Sequence, residues 1–237
     1  MMNHGISDVW QRVLGTQQAP PHWLVLVCAG GALLAMLPHP VWRVSRNVVT
    51  IAHEGGHGLA ALLTGRRLHG IRLHSDTSGL TVSSGRPTGP GMVLTAAAGY
   101  TAPPLLGLGG ATLLAFGHIT ALLWLCTALL AVMLPRLRNA FGLLTVLVTG
   151  GAFFAVSWWG TEQLQAGFAY LGVWFLLVAG VRPVLELQAK RRRGGARDSD
   201  ADQLARLTGV GGLLWVALFL VIALSCLLAG GSQLLGR

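Results

Sequence analysis

Acidic residues are what this chain has least of. Eight Asp and Glu stand against 17 Lys and Arg in 237 residues, and only Glu54, Glu162 and Glu186 are glutamates. Charged residues make up 11% of the chain, where a soluble domain carries about 25%. That shortage argues against an ordinary water-soluble domain. Cysteine is scarce too. Cys28, Cys126 and Cys226 all lie in apolar runs, which speaks against both a disulfide framework and a thiolate zinc site. The first 20 residues lack an apolar core, so no cleavable signal peptide is expected. No internal repeat and no separate soluble domain can be read.

What the chain does have is apolar length. Hydrophobic residues reach 53% and mean hydropathy is +0.61. The expectation is an all-α polytopic membrane protein with six to seven transmembrane helices. Residues 1–21 read as a loose N-terminal segment, and 22–237 as one membrane-embedded domain. Spans are expected at about 23–41, 48–65, 90–116, 118–134, 139–158, 165–187 and 210–235. The third is expected to be interrupted by Pro103-Pro104.

Two segments break the apolar pattern. Residues 66–87 interleave Arg66, Arg67 and Arg72 with Leu68, Ile71 and Leu73. A turn cluster, Ser75-Asp76-Thr77-Ser78-Gly79, then leads into alternating Leu80-Thr81-Val82-Ser83. This predicts a short interfacial β-hairpin after the motif helix described below. Its strand Leu80, Thr81 and Val82 is a candidate edge for holding an extended substrate. Residues 188–206 read as a polar loop, first basic and then acidic.

The net charge of +9 could mean nucleic acid, but the basic residues sit in short loops between apolar runs. Topology and anionic lipid headgroups explain them better, so membrane lipids are expected partners and nucleic acid is not. With seven spans, the N-terminus, the hairpin, the 135–139 turn and the 188–206 loop share one side. Only Arg43, Arg46 and Arg237 then face the other, with Arg182 inside a span. The basic side, and with it the N-terminus, is expected to be cytoplasmic, in a multi-pass protein of the cell membrane (inner or plasma).

The chemistry concentrates in His53-Glu54-Gly55-Gly56-His57. On a helix, His53 and His57 lie one turn apart on one face, so both imidazoles can reach one metal ion. Two neutral nitrogen donors, an open coordination position and a carboxylate base (Glu54) are what a zinc hydrolase needs. An ionisable residue in an apolar segment costs several kcal/mol unless it is partnered, so it defaults to function. His57 stands nine residues before Arg66, about 13 Å of helix from the cytoplasmic end.

A catalytic zinc usually takes a third protein ligand. Glu162 falls on the wrong side, Asp8 in the loose N-terminus and Asp76 in a turn. Asp200 and Asp202 remain as equal candidates, with Glu186 behind them.

The chain resembles the site-2 protease family of intramembrane zinc metallopeptidases, in its compact bacterial and plant-like branch. The matching residues are His53-Glu54-Gly55-Gly56-His57, Ser78-Gly79-Leu80-Thr81, Ala98-Gly99-Tyr100, Val181-Arg182-Pro183 and Ser199-Asp200-Ala201. The resemblance implies His53 and His57 as zinc ligands and Glu54 as catalytic base. The better known members take their third ligand from an Asp beside a Gly, and this chain has no Asp-Gly pair. Asp200 is the position that substitutes for it. The implied activity is zinc endopeptidase cleavage of a transmembrane protein substrate. The alternative is a catalytically inactive membrane scaffold or binding protein on the same fold, which would have no use for Glu54. A metal transporter ranks last, because His118 and Glu162 fall near span ends.

Overall fold

The computed structural model describes residues 13–195 and 198–236. The first twelve residues, Arg12 among them, and Ala196, Arg197 and Arg237 lie outside it. The described chain is mainly helical, with one two-stranded sheet. In chain order, α1 is His22–Met36 and α2 is His39–Leu63. The hairpin follows as β1, Arg67–Leu73, and β2, Gly79–Ser84. Then come α3 (Pro90–Ala115), α4 (Ile119–Met133), α5 (Ala140–Trp159), α6 (Glu162–Ala179), α7 (Arg182–Arg192), α8 (Asp200–Thr208) and α9 (Gly212–Leu235).

Among the described residues, four helical stretches are long and apolar enough to cross a membrane: α4 with its short extension, α5, α6 running on into α7, and α9. Counting α1 and α2 as one bent span gives five, against the six to seven expected. Two features account for the difference. First, α1 and α2 meet at 104° around Pro38, so together they make at most one span, not two. Second, α3 is rich in Gly, Ala, Thr and Pro, and it packs inside the bundle through Thr95, Ala96, Gly99, Gly107, Gly110 and Ala111. Small residues let neighbouring backbones approach closely and make this helix less apolar than those four stretches, although Leu94, Leu105 and Leu106 remain exposed along it. Pro103 and Pro104 do not interrupt it; the helix runs through both.

The bend also changes which side residues 13–21 occupy. Gln17 donates from its backbone N–H to the Gly117 carbonyl, and from Nε2 to Thr120 and Gln165. The hairpin instead meets the α4–α5 turn, where the Arg138 N–H donates to the Ile71 carbonyl and Asn139 brackets Leu73. Since α4 separates these two places, residues 13–21 lie at the opposite end from the hairpin. The expected shared side is therefore corrected. One bent span where two were expected shifts every later segment by one crossing.

Every Lys and Arg among the described residues lies at the hairpin end. Arg43 and Arg46 join it, because α2 begins beside Arg182, whose guanidinium donates to the Met36 and Leu37 carbonyls. The far end carries Glu162, placed in the first turn of α6 where the helix dipole favours an acid.

The hairpin forms as expected, with Leu73 opposite Gly79 and Ile71 opposite Thr81. It buries Leu68, Ile71 and Leu73 against Ile51, Met133 and Val146. The expected 188–206 loop is largely helical. α7 runs to Arg192, and Ser199 caps α8 by accepting from the Asp202 N–H.

Candidate metal centre

α2 presents His53 and His57 to α3, as their i, i+4 spacing requires. Their Nε2 atoms are 3.1 Å apart. α8 brings Asp200 to the same point, its Oδ2 lying 3.3 Å from each Nε2. Among the described residues this is the group of His, Cys, Asp and Glu set closely enough to share a metal ion. The three edges suit the donor chemistry. Donors about 2.0–2.1 Å from a tetrahedral zinc stand roughly 3.3 Å apart.

The surroundings hold these donors in place. The His57 Nδ1 lies 2.7 Å from the Thr95 carbonyl, which fixes Nδ1–H as the donor and leaves Nε2 free to bind. Tyr100 packs edge-on against the His53 ring at 4.8 Å and stacks on Phe219 of α9. Gly99 faces both histidines, and a Cβ there would overlap the Nε2 atoms of both, so the close approach of α3 to α2 requires glycine.

Glu54 is 4% exposed. The Thr81 hydroxyl donates to its Oε2 at 2.6 Å, and its side chain lies against Gly79. Of the three strand residues singled out in the sequence, Thr81 therefore points inward to Glu54. Leu80 and Val82 point outward, about half exposed.

The other two candidates for third ligand are engaged elsewhere. Glu186 accepts from Trp42 Nε1 at 2.9 Å and pairs with Arg46 and Arg182, both at 3.0 Å. Asp202 pairs with Arg191 and accepts from the Ser199 hydroxyl. Thr95 and Arg191 escaped the sequence reading. A carbonyl partner leaves no trace in sequence, but the spacing of Ser199 and Asp202 is a capping signature that marks a helix start.

The cluster sits toward the basic end. From Gly99 to Ala115, where α3 ends at the far side, is about 24 Å of helix.

A family model described as Peptidase M50B-like matches residues 26–230. No curated protein and no solved structure matches the chain.

Proposed function

The chain belongs to the Peptidase M50B-like family, and from that premise we propose that it is an intramembrane zinc endopeptidase. The observation that carries this reading is the His53–His57–Asp200 triangle, with edges of 3.1 and 3.3 Å, beside a buried Glu54. The proposed ligands are His53, His57 and Asp200, and the proposed base is Glu54. When bound, zinc would lower the pKa of a coordinated water toward about 7 and polarise the scissile carbonyl.

The remaining steps fall to the chain. Glu54 takes the proton of the attacking water and returns it to the leaving nitrogen. Thr81, donating to Oε2, holds that carboxylate in one orientation. The outer edge of β2 has no strand partner among the described residues. In β1, Ile71 and Leu73 turn their backbone groups outward to the α4–α5 turn, so Arg72 and its partner Leu80 face each other. Alternation then leaves Gly79 and Thr81 facing the free edge, beside Glu54. An unwound substrate segment added along this edge would pass the base. The substrate class proposed is a transmembrane protein, and the basic end is proposed to face the cytoplasm, with anionic lipid headgroups around it.

Glu54→Gln is the first test. It should keep zinc and lower cleavage of a candidate substrate about 10²- to 10⁴-fold. Full cleavage by this variant would sink the mechanism and favour the scaffold reading. The double change Leu80→Ser and Val82→Ser should lower kcat/KM about tenfold with zinc content intact, because it removes apolar side chains from the docking strand. Unchanged kcat/KM would mean that the substrate does not lie along β2.

A further inference from the structure

Asp200 enters the cluster from a short helix whose first turn is held by polar contacts. α8 has nine residues. Its apolar anchors, Ala201 and Leu204, are fully buried among Ala96, Val184, Val216 and Phe219. At its start, the Ser199 hydroxyl donates to Asp202 Oδ2 at 2.8 Å. The other carboxylate oxygen, Oδ1, takes a guanidinium N–H from Arg191 of α7. Arg191 and Asp202 side chains are 19% and 24% exposed, so water screens this pair less than a surface one. The guanidinium also lies against the bare Cα of Gly212, the first residue of α9, where any Cβ would overlap it. Arg191 thus meets both α8 and α9.

The same helix, α7, reaches the other supplier of ligands. Glu186, about 7.5 Å of helix before Arg191, pairs with Arg46 and accepts from Trp42, both on α2. α7 therefore grips the helix that carries His53 and His57 at one point and the helix that carries Asp200 at another.

We propose that Arg191 is a positioning residue for the metal. Through Asp202 it fixes the first turn of α8, so that Asp200 Oδ2 stays within reach of the two histidine nitrogens. The physical reason is the geometry of a helix start. The first turn of a helix has unsatisfied N–H groups and frays first. Asp200 and Asp202 share that turn, so pinning one restricts the other. This inference rests on the metal reading above.

The test is a zinc titration of the full chain in detergent, against a competing chelator. Arg191→Met should weaken zinc binding about 10- to 100-fold, the range seen for outer partners of metal ligands. Asp202→Asn, which keeps the shape and removes the charge, should do the same. Arg191→Lys should recover most of the loss. In an Asp200→Asn background, Arg191→Met should cost nothing further, because its effect passes through Asp200. Parent-like affinity in both Arg191→Met and Asp202→Asn would overturn the inference, as would an equal loss with and without Asp200. A parent chain that takes up no zinc would overturn the metal reading beneath it, which is a different result.

Discussion

α2 supplies two nitrogens from one 25-residue helix, whereas α8 supplies one oxygen from a helix of nine. In α2 the spacing of the donors is set by the backbone itself, since residues four apart share a face. Thr95 and Gly99 of α3 refine it through a carbonyl on His57 Nδ1 and a bare surface for both rings to meet. In α8 the donor is placed by tertiary contacts: two buried apolar side chains, one cap and one ion pair. The contrast teaches that the two halves of the cluster should fail differently. The α2 half should break only when a donor is removed or α3 is pushed away. The α8 half should loosen whenever its docking weakens.

The largest expected effect comes from removing a donor on each side. His57→Ala should abolish stoichiometric zinc. Asp200→Asn should leave the histidine pair a residual grip, weakened by more than the roughly 100-fold that an outer partner can cost. Zinc titration separates the two outcomes, and an Asp200→Asn chain with parent affinity would remove α8 from the site.

A smaller effect is expected at Gly99→Ala. The added methyl overlaps both Nε2 atoms, so α3 must shift away from α2. Overpacking of this kind costs about 1–3 kcal/mol. The variant should melt earlier and bind zinc more weakly, measured by thermal unfolding with and without metal. A parent-like Tm and affinity would show that α3 does not set the histidine geometry.

The smallest effect belongs to the cap. Ser199→Ala removes an N-cap worth about 1 kcal/mol, and with it the hydroxyl that meets Asp202. Zinc affinity should fall only a few-fold, while Asn or Thr at position 199 should restore it. A loss as large as that of Asp200→Asn would mean that Ser199 touches the metal chemistry itself.

The same contrast explains what could be read in the sequence. The α2 half was legible because its signal is local: five consecutive residues with a helical period. The hairpin was legible because alternation at 80–83 and the turn cluster at 75–79 are also local. The third candidate donor was not legible from the residues alone, because Asp200 and Asp202 are indistinguishable by type and lie two residues apart; only the family resemblance pointed to Asp200. What separates them is Arg191, which claims Asp202, and the packing of Ala201 and Leu204, which turns Asp200 toward α2. Glu186 was removed from contention by Trp42, Arg46 and Arg182, partners up to 144 residues away in the chain. The side of residues 13–21 was misread for a related reason. Hydropathy marks where an apolar helix ends, and Pro38 marked the end of α1, but neither says whether the next helix crosses back or turns by 104°. The charge pattern had the correction in it. With Arg43 and Arg46 moved to the hairpin end, every described basic residue lies on one side, a sharper asymmetry than the seven-span reading gave.

The most direct test of the account is a chelator-competition zinc titration of the purified parent chain and of Asp200→Ala. One zinc per chain is expected in the parent, and an affinity at least about 100-fold weaker in the variant. A parent that binds no zinc, or a variant that binds it as tightly as the parent, would contradict the claim that α2 and α8 hold one metal ion between them.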